Sequence, residues 1–131
     1  MSILKPLHLI LLVFVMCGAC HSGNGGGAVE SAGPIDRHNH HLILTKHARC
    51  RMDCRHITEK EILEILDRGE INYRKSDPNG HPDPKYALDG STDEGQHLRV
   101  VFATSPRGPV VVTCIDLDHE WQCDCGENST N

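Results

Sequence analysis

The stretch TKHARCRMDCRHITEKEILEILDRG, residues 45–69, decides the fold, and its second half is the plainer part. Thr58-Glu59-Lys60-Glu61 is a capping box: the threonine hydroxyl and the glutamate carboxylate satisfy each other's backbone N–H groups at a helix start. Behind it Ile62, Leu63, Ile65 and Leu66 fall on one side of a helix, with Glu59, Glu64, Asp67 and Arg68 on the other. Gly69 ends that helix. Thr45 caps an earlier helix predicted over residues 46–55.

After Gly69 the apolar period changes from helical to strand-like. Residues 71–76, 85–89, 98–104 and 110–118 are four strand candidates. Turn chemistry divides them at Asp77-Pro-Asn-Gly80, Asp93-Glu-Gly95 and Pro106-Arg-Gly108. Links this short join antiparallel neighbours. The expected fold is therefore α+β, two N-terminal helices packed on a four-stranded antiparallel meander, with Leu98, Val100 and Phe102 facing the helices.

Upstream of the globule the chain reads as an address. Lys5 supplies a positive start, residues 7–16 are almost unbroken apolar, and Gly18 and Ala19 are small, so residues 1–19 are expected to be an export signal. The apolar run is shorter than the ~20 residues a membrane-crossing helix needs. Cys20 after Gly18-Ala19 resembles the lipobox of bacterial lipoproteins, whose cysteine is acylated; Cys17 stands where that motif has Leu or Val. The expected lipidation site is Cys20, and the expected location is a lipid-anchored position at the outer membrane, since His21 and not Asp follows the cysteine. An ordinary secreted or periplasmic chain is the fallback. Residues 20–41 read as the acylated cysteine and a flexible tether: Ser22-Gly-Asn-Gly-Gly-Gly27 has little side chain to bury and loses much backbone entropy on ordering. The domain itself is expected over residues 42–125, with a disordered tail at 126–131.

Composition narrows the function. Of 131 residues, 38% are hydrophobic and 24% charged, a globular balance. The net charge of -5 offers no basic surface for nucleic acid, and removing residues 1–19 takes one lysine and no acid. Aromatic residues are only 4%, too few for a base-stacking platform. Seven cysteines and ten histidines are the anomaly.

The run His47-Ala48-Arg49-Cys50-Arg51-Met52-Asp53-Cys54-Arg55-His56-Ile57-Thr58, then Glu61-Ile62 and Gly69, resembles the small bacterial domain-of-unknown-function family 4258. Tyr86-Ala87-Leu88-Asp89-Gly90 and residues 111–117 look like that family's central strands. The resemblance covers the globular part of the chain. It implies a fold similar to BrnT and RelE toxins, which are endoribonucleases, and it carries fold further than function.

In the first helix His47, Arg51 and Arg55 form one stripe at successive four-residue steps. Ala48 and Met52 flank it on one side, Cys50 and Cys54 on the other. Arginines that face a sheet need carboxylate or carbonyl partners, and Asp116 and Asp118 on the last strand have the right parity. As a nuclease site, His47 would serve as general acid or base, with Arg51 and Arg55 stabilising charge on a phosphodiester. As a scaffold, the stripe clamps helix to sheet.

The cysteines carry the sharper pattern. Cys50 and Cys54 are one helical turn apart, about 6 Å along the axis. Cys123 and Cys125 share one face of an extended segment, about 6.6 Å apart. The pairs match in pitch and are expected to face each other. Two disulfides or a four-cysteine zinc site meet that requirement. Export favours disulfides, and C-x3-C with C-x-C departs from the usual C-x2-C zinc knuckles. Cys114, in a valine-rich strand, is expected to be a small buried hydrophobe.

The expected protein is thus an envelope lipoprotein with a binding or interaction domain stapled by Cys50 and Cys54 to Cys123 and Cys125. Its partners would be the membrane, through the lipid anchor, and a protein or small molecule. The alternative is a BrnT/RelE-like endoribonuclease using His47, Arg51 and Arg55, the one reading with a nucleic-acid partner. A third is a thiol- or metal-handling envelope protein.

Overall fold

The structure, a computed structural model, describes residues 33–126. The segment expected as an export signal at 1–19, the expected lipidation site Cys20, the expected tether up to residue 32 and the expected tail from residue 127 lie outside the described residues. In chain order the elements are β1 (Ile43–Leu44), α1 (Lys46–Arg55), α2 (Glu59–Arg68), β2 (Glu70–Ile71), a 3-10 turn (Tyr73–Lys75), β3 (Lys85–Ser91), β4 (His97–Ala103) and β5 (Val110–Asp116). No helix among them is long and apolar enough to cross a membrane.

Both helices start where their caps dictate. The Thr45 hydroxyl accepts the Ala48 N–H at 3.0 Å and donates to the Val112 carbonyl at 3.2 Å, so one side chain caps α1 and ties it to the sheet. Thr58 and Glu61 form the expected box, and the second Glu61 oxygen accepts the Thr92 hydroxyl at 3.2 Å, so a fully enclosed carboxylate is well partnered. Gly69 ends α2 by turning to extended backbone, and it must be glycine because a β-carbon there would meet the Ile65 carbonyl oxygen at 2.5 Å and Leu88 at 3.2 Å. Helix α2 can therefore leave directly into the sheet.

The architecture is α+β, but the sheet is not a four-stranded antiparallel meander. It has five strands in the order β1-β5-β4-β3-β2, and β1 runs parallel to β5. The antiparallel meander runs through β2, β3, β4 and β5, and the departure from expectation is β1, a parallel edge strand added beside β5. The strand expected at 71–76 shrinks to Glu70–Ile71, which pairs with Leu88 and Asp89. Beyond it the chain turns into the 3-10 element, and Ser76 Oγ replaces a backbone partner by accepting the Ala87 N–H at 2.9 Å. A continued strand would pair that N–H through backbone alone and leave the hydroxyl idle.

Leu98, Val100 and Phe102 point at the helices and are inaccessible to solvent, as their alternation requires. They meet Ile62, Ile65 and Leu66 of α2, Leu88 of β3, and Val111 and Cys114 of β5 in one core. Cys114 is free and wholly buried, and burial pushes its thiol up to about 11 against the opposing pull of Arg55 and Arg51.

The domain begins earlier than residue 42. Ile35 is buried in the core, and the Arg37 guanidinium donates to the carbonyls of Leu66 at 2.8 Å and Gly69 at 2.9 Å. Those are orphan carbonyls at the end of α2, and a cation there also favours the helix dipole. His40 meets Asp67 at 2.9 Å. Residues 34–41, expected as tether, are thus docked on the domain through one apolar anchor and one arginine.

Candidate functional site

Where β5 ends, Asp116 organises the turn beyond it. One of its carboxylate oxygens accepts the backbone N–H groups of Asp118 at 3.0 Å and His119 at 3.1 Å. The other accepts Trp121 Nε1 at 3.0 Å, with His119 Nδ1 at 3.4 Å. Burial alone would raise this carboxyl. The hydrogen bonds from Trp121, Asp118 and His119 outweigh it and hold Asp116 below its ordinary value. The chain is thereby folded back, and Trp121 lies edge-on to His56 with ring centroids 5.4 Å apart.

From there the tail runs along α1 as a strap. Cys123 is bonded to Cys54 and Cys125 to Cys50, each pair with alpha carbons 5.9 Å apart. The matched pitch of the two pairs is realised rung for rung. With all four sulfurs in covalent pairs, none remains as a thiolate for zinc.

Strap, α1 and β5 enclose an open cleft of about 580 Å³, lined by Arg55, Asp116, Asp118, Glu120, Trp121 and Gln122 among others. His97 reaches Asp118 at 3.6 Å on its border. The lining combines one guanidinium, one imidazole, one indole and three carboxylates, so its charge is mainly negative.

The stripe on α1 is present, but its members do not converge on one point. Arg51 Nε donates to His47 Nε2 at 3.3 Å, away from the cleft's lining residues. Arg55 reaches the cleft, and its guanidinium donates to the Cys114 carbonyl while its Nε is buried without a partner. Burial, then Arg51 nearby, lowers its pKa. The expected carboxylate partners are not used: the oxygens of Asp116 are filled by the strap, and neither Arg51 nor Arg55 forms an ion pair among the described residues. A carbonyl takes that place for Arg55 because Asp116 already holds the turn.

Sequence reasoning reached the cysteines and the stripe but missed Asp116 as organiser, Trp121 as wall and His56 as its neighbour. One signal pointed there. An aspartate closing a strand, followed by Asp118, His119 and the sole tryptophan, has the form of a side chain accepting from its own next backbone groups.

Residues 44–116, more than half of the chain, match the model of a family described as Domain of unknown function (DUF4258). No curated protein and no solved structure matches the chain. The matched span ends at Asp116, so the strap and both of its cysteines lie beyond it. With its two helices and its central strands inside the match, the chain belongs to the DUF4258 family.

Proposed function

We propose that this chain is an exported, lipid-anchored binding domain of the bacterial cell envelope, whose ligand or partner enters the cleft between Arg55, the end of β5 and the strap. The observation that carries the reading is the pairing of four cysteines into two long-range disulfides. Such bonds persist in oxidising compartments and are rare in a reducing cytosol. The apolar run ahead of Cys20 supplies the route out, and acylation of Cys20 supplies the anchor. Nothing in the cleft pairs a nucleophile with a base, which supports binding over catalysis.

Expression of the full chain in a bacterial host, followed by membrane fractionation, tests this. The chain should sediment with the membrane and carry acyl mass on Cys20, and Cys20→Ala should release it in soluble exported form. A chain found in the cytoplasm with its first 19 residues intact would overturn the reading.

The endoribonuclease reading keeps one observation in its favour, two arginines that meet no carboxylate among the described residues, beside a histidine on the same stripe. Such unpaired cations suit a phosphodiester. The acidic lining beside Arg55 opposes it. Incubation of the oxidised protein with RNA decides: cleavage that His47→Ala abolishes would establish the nuclease, and intact RNA would remove it.

A further inference from the structure

The strap places no residue in the main hydrophobic cluster, whose members run from Ile35 to Cys114, and its one buried apolar residue is the disulfide-bonded Cys125. Its last backbone hydrogen bond to the sheet is Leu117 N–H to the His97 carbonyl at 2.8 Å. Beyond that point, among the described residues, the ties are the Asp116 turn, the His97–Asp118 contact, the edge of Trp121 against His56, and the two disulfides. Yet residues 118–122 of this weakly held segment form the outer wall of the cleft. The family-matched span 44–116 supplies only the floor.

We infer that the cleft is a redox-assembled site: it exists when Cys50–Cys125 and Cys54–Cys123 are closed, and it loses its outer wall when they are open, while the helices and sheet stay folded. This rests on the reading of the cleft as the binding site of an exported chain. Each bond forms by thiol–disulfide exchange, in which two cysteine thiols pass two protons and two electrons to the disulfide of an oxidant protein, which leaves as its dithiol. A dithiol reductant reverses the step with the same count. Made in a reducing compartment, the chain has a floor and no wall. Oxidation after export lays the strap along α1 and completes the site, so binding is confined to the compartment where the ligand is met. The local stability of a segment with few buried contacts is low, and a cross-link is what holds it.

Trp121 is the only tryptophan in the chain and sits within the wall, so its fluorescence reads the strap alone. The purified, oxidised full chain is compared with the same protein after dithiothreitol, with mass spectrometry after alkylation counting the opened cysteines. On reduction, Trp121 emission should shift to the red, acrylamide quenching should increase, and chymotrypsin should cut the strap on the order of tenfold faster, with the far-UV circular dichroism retained. The variant Cys50→Ser with Cys125→Ser keeps the bond two residues from Trp121 and should retain most of its protection. Unchanged Trp121 exposure after complete reduction would overturn the inference, and so would loss of the circular dichroism together with the strap. Failure of the export reading shows elsewhere, as four free thiols in protein isolated from cells, and leaves this comparison in vitro intact.

Discussion

Helices α1 and α2 are each ten residues long and lie on the same sheet, yet they are held by different physics. Helix α2 buries Ile62, Ile65 and Leu66 completely against β3 and β4 and has a reciprocal cap at its start. Burial, the largest favourable term in folding, fixes it. Helix α1 buries only Ala48 and Met52, and its remaining inward positions are thiols and cations. It is held by the Thr45 cap, the Arg55–Cys114 carbonyl bond and two disulfides. The lesson is that one half of the helical layer is held by apolar burial, while the other carries a smaller buried face and serves as the post to which oxidation fastens the strap. That difference places the cleft beside α1, where a wall can be added or removed without disturbing the core.

The comparison breaks most readily through the sulfur. Closing the 75-residue separation between Cys50 and Cys125 is worth roughly 4 kcal/mol in the chain-entropy view, and the bond nested within it adds less. Guanidinium melts with and without reductant should therefore differ by about that amount, a large share of a small domain's stability. Equal midpoints would show that the staples add nothing to the stability of the domain. Next in size is Leu66→Ala, which empties a completely buried site on α2 and should cost about 3 kcal/mol. The cost should be the same in oxidised and reduced protein, because the strap does not touch that side. A cost that vanishes on reduction would merge the two regions into one.

The caps come third. Thr45→Ala and Thr58→Ala should each cost about 1 kcal/mol, read from thermal melts. The smallest effect is on pH. Asp116 is held below its ordinary value of 3.8 in the folded chain, so its contribution is complete above that value and is lost as pH falls through the lower folded value. Below pH 3.8 the Trp121 emission should begin to report a loosened turn while the disulfides keep the strap tethered. Asp116→Asn should abolish that acid transition. Asp89, lowered first by its hydrogen bond from Arg99, titrates in the same direction on the sheet but leaves Trp121 unaffected.

Much of this was legible in the residues. Thr45, Thr58 and Gly69 mark helix ends because caps act within one turn of chain, and local chemistry is what a sequence displays. Leu98, Val100 and Phe102 declare their face through strict alternation. The four cysteines declare their partnership through pitch. The features that stayed hidden depend on contacts between distant segments. Strand β1 is two residues long, too short for any period, and exists because Val110 and Val111 offer it an edge. Residues 34–41 look like tether in composition, and only the open carbonyls at the end of α2 give Arg37 its role. The strap wall required knowing that Asp116 turns inward on its own successors and leaves Arg55 to a carbonyl.

A peptide map of the exported protein, digested without reductant and with free thiols blocked beforehand, tests the stapling most directly. The expected result is two cross-linked species, one joining the peptide of Cys50 to that of Cys125 and one joining Cys54 to Cys123. Digestion between Cys50 and Cys54, and between Cys123 and Cys125, separates the rungs. Four blocked thiols, or bonds within either close pair, would contradict it.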